Sequence, residues 1–192
     1  MEVLLGRQSG LSDERTNIWT VGHSTLTLED FLELLYLNGI RALADVRRFP
    51  GSRKHPQFNQ DELRESLAAA GIDYIHLPEL GGRRRARPDS ANTVWRNPSF
   101  RGYADYMETD VFRAGIERLL QLARDKPTAI MCAEALWFRC HRALIADYLK
   151  ASGVNVIHIN SGGRNTVHPY TSAARISDGR LSYSEPLDFA RR

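Results

Sequence analysis

The chain has 192 residues, of which 42% are hydrophobic and 26% charged, with a formal net charge of +3. These values are typical of a globular domain and exclude an intrinsically disordered chain. No apolar run approaches the roughly 20 residues of a membrane-spanning helix, and two cysteines are too few for a disulfide framework.

The first segment, residues 1–16, has no basic start followed by an apolar stretch of signal-peptide length. We expect it to be a mobile N-terminal lead-in to a single domain over residues 17–192. Without an export signal, we expect a cytoplasmic, reducing setting in which both thiols are free. A bridge between Cys132 and Cys140 stays open as an alternative.

The chain then alternates between predicted strands and helices. Short apolar runs predict strands, and apolar residues spaced three or four apart predict helices. Thr27 is expected to cap the first helix, and Asn59, with Glu62 three residues later, the second. In chain order the predicted elements are a strand over 17–21, a helix over 27–38, strands over 40–46 and 72–77 with a helix over 59–70 between them, helices over 100–107 and 109–124, a strand over 128–133, a helix from about 138 to 151 and a strand over 154–159.

Two segments have no regular periodicity. Residues 78–97 are rich in glycine, arginine and proline, and a loop of that length in a compact domain is usually functional or mobile. The tail from residue 160 is expected to form loops with a short strand near 181–183.

This alternation predicts parallel strands joined by right-handed crossovers. Five units are too few for an eight-stranded barrel. We therefore predict an α/β fold, a single domain with an open, mostly parallel sheet of about five strands and helices on both faces. In such sheets ligands bind beyond the carboxyl ends of the strands. The polar residues expected at that edge are His23, Ser24, Asp45, Arg47, His76, Glu79, Cys132, Glu134 and His158.

Several motifs occur along the chain, most of them close to these predicted strand ends. They are VGHST at 21–25, DVRRFPGSR at 45–53, PQFN at 56–59, HLPELGGR at 76–83, FRGYADYM at 100–107, CAEA at 132–135, RCHR at 139–142 and IAD at 145–147. Their order and spacing resemble the family called domain of unknown function 488, over roughly residues 17–159. The resemblance implies a cytoplasmic α/β domain, and it leaves the function open because the family's name assigns no activity.

Cys132 is the first candidate for chemistry. A thiol between a strand end and a helix start, near Arg139 and Arg142, can have a lowered pKa. One interpretation is therefore a thiol-dependent enzyme that uses Cys132, and the other is a small buried core residue. The cysteine-phosphatase signature is not matched, because six residues separate Cys132 from Arg139 instead of five and bulky residues fill the loop.

Glu134, Asp45 and His23 are the candidates for general acid–base catalysis. Alternatively, the two carboxylates form structural ion pairs with neighbouring arginines. Arginine suits bidentate contact with phosphate or carboxylate groups, although clustered arginines also form plain solvated surfaces. The predicted substrate-binding residues are Arg47, Arg53, Arg83, Arg139, His141 and Arg142.

No metal site is predicted, because Cys140 and His141 are adjacent and their gap from Cys132 matches no standard zinc spacing. No cofactor is assigned, since neither the dinucleotide-binding glycine pattern nor the phosphate-loop pattern is present. The arginine-rich segment 81–87 and the aromatic residues after it suit phosphates and stacked bases, or alternatively the packing of a long loop.

Two classes of function remain. The first is an enzyme that acts at the strand ends on a phosphorylated or otherwise anionic substrate, such as a nucleotide or nucleic acid. The second is a module that binds a nucleotide or nucleic acid without turnover. The ionisable residues at the strand ends exceed what anion binding requires, which favours the enzyme. The expected partner is an anionic small molecule or nucleic acid, and not a membrane.

Overall fold

The computed structural model describes residues 16–185. The predicted mobile lead-in therefore lies outside the described residues except for residue 16, and so do the last seven residues of the predicted domain. None of the described helices is both long enough and apolar enough to cross a membrane.

The prediction of a single α/β domain with a mostly parallel sheet is confirmed. Five parallel strands form the sheet, and a short antiparallel strand extends it to six. The strands are β1 (Asn17–Gly22), β2 (Ala42–Asp45), β3 (Asp73–His76), β4 (Thr128–Cys132), β5 (Asn155–His158) and β6 (Thr166–Val167), followed by a separate hairpin of β7 (Arg175–Ser177) and β8 (Arg180–Ser182). The helices are α1 (Leu28–Leu37), α2 (Gln60–Ala69), α3 (Pro98–Met107), α4 (Asp110–Asp125) and α5 (Arg142–Ala151).

The strand order is β3-β2-β4-β1-β5-β6, so β4 lies between β2 and β1. Helices α1 and α2 cover one face of the sheet, where Phe31 and Leu67 join one buried cluster. Helices α3, α4 and α5 cover the other face, where Phe112 and Leu144 join a second cluster. Because both faces are covered, the strands read as nearly continuous apolar runs instead of alternating ones.

The two predicted helix caps have different outcomes. Thr27 caps α1, since its hydroxyl accepts a hydrogen bond from the Asp30 amide at 3.1 Å. Asn59 occupies the predicted N-cap position of α2, but its side chain makes no hydrogen bond to that helix. Its side-chain oxygen instead accepts the Ser52 amide at 2.7 Å. Asn59 thus fixes the loop after β2, which forms part of the pocket described below.

The last large helix begins later than the periodicity predicts. A single 3-10 turn spans Trp137–Arg139, and α5 starts at Arg142. The Trp137 ring stacks flat on His158, with ring centroids 4.2 Å apart, and this contact holds the turn against β5. Cys140 is therefore in extended backbone before the helix, with φ −134° and ψ 157°.

The long loop after β3 is anchored by a buried carboxylate. Asp105 of α3 accepts hydrogen bonds from the Arg87 amide at 2.8 Å, the Ser90 hydroxyl at 2.6 Å and the Asn92 side chain at 2.9 Å. Burial alone would raise the pKa of Asp105, but these hydrogen bonds lower it, so the carboxylate stays ionised and keeps the loop on the domain.

Candidate functional site

A pocket of about 730 Å³ lies at the carboxyl edge of the sheet, beyond the ends of β1 and β4. The strand order reverses here, because β1 leads to α1 on one face and β4 leads to α5 on the other. Open α/β sheets bind ligands at such a position. The lining comprises residues 23–25, 47–49, 51–52, 55, 82–83, 97, 99–100, 103, 132–135 and 139–141.

Most of the residues that the sequence predicts for the site meet in this pocket, while three do not line it. Asp45 and Arg142 are buried, with 0% and 1% of their surface exposed, and Arg53 is exposed on the loop between β2 and α2. Arg48, His55 and Cys140 also line the pocket, although they were not predicted as site residues. The predicted residues in the lining are His23, Arg47, Arg83, Cys132, Glu134, Arg139 and His141.

Gly22 at the end of β1 allows the loop after β4 to cross over it. A Cβ atom at Gly22 would lie 2.0 Å from the Glu134 carbonyl oxygen, so any side chain at this position would clash with the loop. Beyond that crossing, the His23 amide donates to the Cys132 carbonyl at 3.1 Å and the Ser24 amide to the Ala133 carbonyl at 2.9 Å. The two strand exits are therefore tied together, which fixes His23 beside Cys132.

Asp45 and Arg47 form a buried ion pair. The Arg47 guanidinium donates to both Asp45 oxygens at 2.6–3.1 Å, and the Arg47 amide donates to the carboxylate at 3.0 Å. The Tyr74 hydroxyl adds another hydrogen bond at 2.8 Å. Burial would lower the pKa of Arg47, but the bonds to Asp45 raise it. The Asp45 carboxylate is thus occupied by protein donors, while Arg47 reaches the pocket.

His23 is a neutral imidazole at pH 7. It is 3% exposed and stacks on Phe58 with ring centroids 4.2 Å apart. Burial, followed by the charge of Arg47, lowers its pKa to about 4. Its Nδ1–H donates to the Ser24 carbonyl at 3.1 Å, so its Nε2 lone pair accepts from Arg47 Nη1 at 3.3 Å. Both ring nitrogens are therefore engaged by protein groups.

Three arginines at the pocket, Arg48, Arg83 and Arg139, form what we call the arginine rim. None of them makes an ion pair within residues 16–185. The guanidinium carbons of Arg48 and Arg83 lie 5.5 and 6.0 Å from the ring centroid of Phe49, which is 64% exposed. Glu134 is the one carboxylate in the described lining, so positive charge predominates in the pocket.

The backbone of the pocket wall is locally strained. Ser24 and Arg83 are not glycines, yet they adopt left-handed conformations with φ 46° and 59°. Such conformations cost about 1–3 kcal/mol each and cluster at functional sites, where the surrounding structure enforces them. The strain supports the assignment of this pocket as the functional site.

The two thiols and one imidazole form a compact group. Cys140 Sγ lies 3.5 Å from His141 Nδ1 and 3.5 Å from the Arg142 amide nitrogen. The neighbouring Cys132 thiol, together with the charge of Arg142, lowers the pKa of Cys140 to about 6 despite its burial. The neighbouring Cys140 thiol and burial raise the pKa of Cys132. The lowered thiol pKa expected at Cys132 therefore belongs to Cys140.

Arg142 supports the loop after β4 from inside the domain. Its guanidinium donates to the carbonyls of Glu134 and, at 3.1 Å, Ala135, and to the Thr20 hydroxyl at 3.3 Å. Its Nε is buried without a hydrogen-bond partner in the described structure. The sequence predicts direct contact with substrate for this residue, whereas its guanidinium donates to two backbone carbonyls and one buried hydroxyl of the protein.

A chain of buried hydrogen bonds links Arg142 to Asp147 through Thr20, His158 and His168. Thr20 to His158 is 2.7 Å, His158 to His168 is 2.9 Å and His168 to Asp147 is 3.0 Å. A single set of tautomers satisfies it, with every donor pointing towards the Asp147 carboxylate. Burial, then the charges of His168 and Arg142, lowers the pKa of His158 to about 3. The remaining donors to Asp147 are the Thr171 amide, the Thr171 hydroxyl and the Tyr183 hydroxyl.

A larger cleft of about 1020 Å³ lies at the opposite edge of the sheet, near the start of β1 and β5. Its charged lining consists of Arg124 and Lys150, with no thiol or carboxylate among the described residues. The amino ends of parallel strands are also not where α/β sheets bind ligands. The pocket at the carboxyl edge is therefore the better candidate for a functional site.

Comparison with known protein families identifies the family of this chain. The model of the family described as "Domain of unknown function DUF488" matches residues 27–149, which is most of the chain. The resemblance seen in the motifs is thereby confirmed over that range, and the motif at residues 21–25 precedes it. No curated protein and no solved structure matches the chain.

Proposed function

The chain belongs to the family described as "Domain of unknown function DUF488", and because that description carries no activity, we propose a function from the pocket itself. In this proposal, the protein is an enzyme that acts on a phosphorylated or otherwise anionic substrate at the carboxyl ends of the strands. A nucleotide or a nucleic-acid strand is the proposed substrate class.

The observation that carries this proposal is the arginine rim. Three guanidinium groups without ion-pair partners in the described chain share one pocket with a single carboxylate, Glu134. A bound phosphate or carboxylate would supply the missing counter-charge through paired N–H donors. A solvated basic surface would not require a concave pocket or strained backbone.

Phe49 supports a nucleotide or nucleic acid in particular. Its ring is exposed at the pocket mouth, beside the guanidinium groups of Arg48 and Arg83. Exposed aromatic rings stack on bases, and neighbouring arginines contact the phosphates. Phe49 and the rim together therefore suit a ligand with both a base and a phosphate.

We assign Glu134 the acid–base role, because it is the carboxylate that lines the pocket. Asp45 and His23 act through Arg47 in this proposal, since both hold its guanidinium. They are positioning residues, and Arg142 is another because it holds the Glu134 backbone.

The binding test uses a fluorescent nucleoside triphosphate and a short labelled single-stranded oligonucleotide, measured by anisotropy. Arg48→Gln and Arg139→Gln should each weaken binding about tenfold or more, since a charged hydrogen bond contributes roughly 1.5–3 kcal/mol. Arg41→Gln is the matched control, because Arg41 is exposed and precedes β2 at the opposite edge. Equal effects of all three variants, or binding that does not weaken with salt, would refute the anionic site.

Turnover separates the enzyme from a binding module. Glu134→Gln should retain binding of the same probes and abolish their conversion, monitored by chromatography of the products. If wild-type protein binds them and converts no member of a panel of nucleotides and oligonucleotides, the chain is a binding module instead.

A thiol-dependent reaction is the second candidate, favoured by the lowered pKa of Cys140. Cys140 is 6% exposed, while Cys132 is half-buried in the same pocket. This candidate requires reduced thiols, and the cytoplasmic location that we propose would keep them reduced. It predicts that Cys132→Ser and Cys140→Ser each abolish turnover, and that a metal chelator has no effect on the wild type.

A further inference from the structure

Cys132, Cys140 and His141 present one donor atom each within a space of 4.8 Å, and all three line the pocket. We propose that they bind one divalent cation of the zinc class, with a coordination position left open towards the pocket. Thiolate and imidazole ligands favour zinc, whereas magnesium and calcium require oxygen ligands.

The hydrogen bonding of His141 prepares its ring for this role. Its Nε2 lies 3.0 Å from the Val46 carbonyl oxygen, which can only accept, so Nε2 carries the proton. In the neutral ring the Nδ1 lone pair then points towards Cys140 Sγ. Metal-binding histidines commonly donate their other N–H to a backbone carbonyl in this way, which fixes the tautomer and the ring orientation.

The spacing of the donor atoms fits a tetrahedral ion. Bonds of about 2.3 Å to sulfur and 2.0–2.1 Å to nitrogen place such ligands about 3.6 Å apart, and two sulfurs about 3.8 Å apart. The distance from Cys140 Sγ to His141 Nδ1 is 3.5 Å. No pair of donor atoms exceeds 4.8 Å, so side-chain movements of about an ångström complete the geometry.

The surroundings also suit two thiolate ligands. Two thiolates, a neutral imidazole and a divalent cation have no net charge, so the occupied site buries no excess charge. The Arg142 amide, 3.5 Å from Cys140 Sγ, donates to that sulfur. Gly82 leaves room for the imidazole, since a Cβ there would lie 2.9 Å from His141 Nδ1.

Sequence spacing predicts no metal here because Cys140 and His141 are adjacent and match no standard pattern. The fold instead brings Cys132, at the end of β4, to Cys140 and His141, the two residues that precede α5. Three protein ligands that leave one position open are typical of catalytic zinc sites. The open position would face the pocket in which we place the anionic substrate.

The test is zinc binding by the full chain, stripped of metal and held under reductant. Titration against a competing chromophoric chelator should give one zinc ion per chain. We expect zinc affinity to fall by more than roughly 100-fold in each of Cys132→Ser, Cys140→Ser and His141→Gln. Loss of a residue that only hydrogen-bonds a metal ligand lowers metal affinity by at most about 100-fold, so a larger loss indicates a direct ligand. His55→Gln is the matched control, because it removes another pocket histidine outside the cluster and should leave binding unchanged.

Cobalt gives an independent readout of the ligands. Cobalt(II) added to the stripped chain should produce a thiolate-to-metal charge-transfer band and the intense visible bands of a tetrahedral ion. The two serine variants should reduce the charge-transfer band, and circular dichroism should show that they remain folded.

Three results would overturn the proposal: no stoichiometric zinc binding, full affinity in His141→Gln, or a disulfide between Cys132 and Cys140 in protein purified without oxygen. The anion-binding test on the metal-free chain is separate. A chain that binds zinc and no anion would refute the proposed function alone, whereas the reverse result would refute the metal site alone.

Discussion

Lowering the pH from 7 to 5 should destabilise the folded chain through two buried histidines, His23 and His158. Their pKa values fall from the ordinary 6.5 to about 4 and about 3, chiefly because burial disfavours the charged ring. The unfolded chain therefore binds more protons than the folded chain below pH 6.5. Their contribution to stability is fully present above that pH and is lost as the pH falls towards the folded-state values.

The size of the effect follows from the two pKa shifts. Each histidine removes about 1.4 kcal/mol per pH unit below 6.5, which amounts to about 2 kcal/mol at pH 5. Together they remove about 4 kcal/mol, a large part of the 5–15 kcal/mol that holds a typical domain folded. Unfolded carboxylates titrate near pH 4, so they contribute little in this window.

Urea unfolding at pH 7, 6 and 5, followed by circular dichroism, measures this loss directly. His158→Gln keeps hydrogen-bonding capacity at the centre of the buried chain and removes one titrating group. The variant should be less stable at pH 7 but should lose about half as much stability between pH 7 and 5 as the wild type. A wild-type loss below about 1 kcal/mol, or equal losses in the two proteins, would refute the buried, neutral state of His158.

Three further predictions concern the residues that shape the pocket. Gly22→Ala should destabilise the chain by more than about 2 kcal/mol because its Cβ would meet the Glu134 carbonyl. Gly51→Ala, whose Cβ would have no atom of residues 16–185 within 4 Å, should change the stability by at most about 0.5 kcal/mol in the same thermal melts. Asp147→Asn should lower the free energy of unfolding by about 3 kcal/mol or more, because an uncharged amide replaces a buried carboxylate that accepts four hydrogen bonds. An unchanged urea midpoint would contradict the chain of donors that ends at Asp147. In reduced, metal-free protein, one thiol should ionise near pH 6 by ultraviolet thiolate absorbance, and Cys140→Ser should remove that step.

The sequence by itself determined the elements and the class of fold. Strand and helix periodicities are local, so the predicted strand over 128–133 and the observed β4, Thr128–Cys132, agree closely. Repeated alternation requires parallel strands, and parallel strands place their carboxyl ends along one edge. The periodicity and the parallel order therefore predict that His23, Arg47 and Glu134 lie at one edge, and all three line the pocket.

Tertiary structure decided what each polar group does, because its role depends on partners distant in the chain. The carboxylates of Asp45 and Glu134 look equivalent in the sequence. In the fold, however, Asp45 is buried and accepts hydrogen bonds from Arg47 and Tyr74, so its carboxylate is not available to a ligand.

The buried hydrogen bond between Thr20 and His158 joins residues 138 positions apart, and no local pattern encodes it. Likewise, Trp137 stacks on His158, so residues 137–139 form a separate turn against β5 and α5 begins only after it. Cys140, which follows this turn, lines the pocket. Local propensity acts over a few residues, whereas burial and charge pairing act between elements that meet only after the sheet has formed.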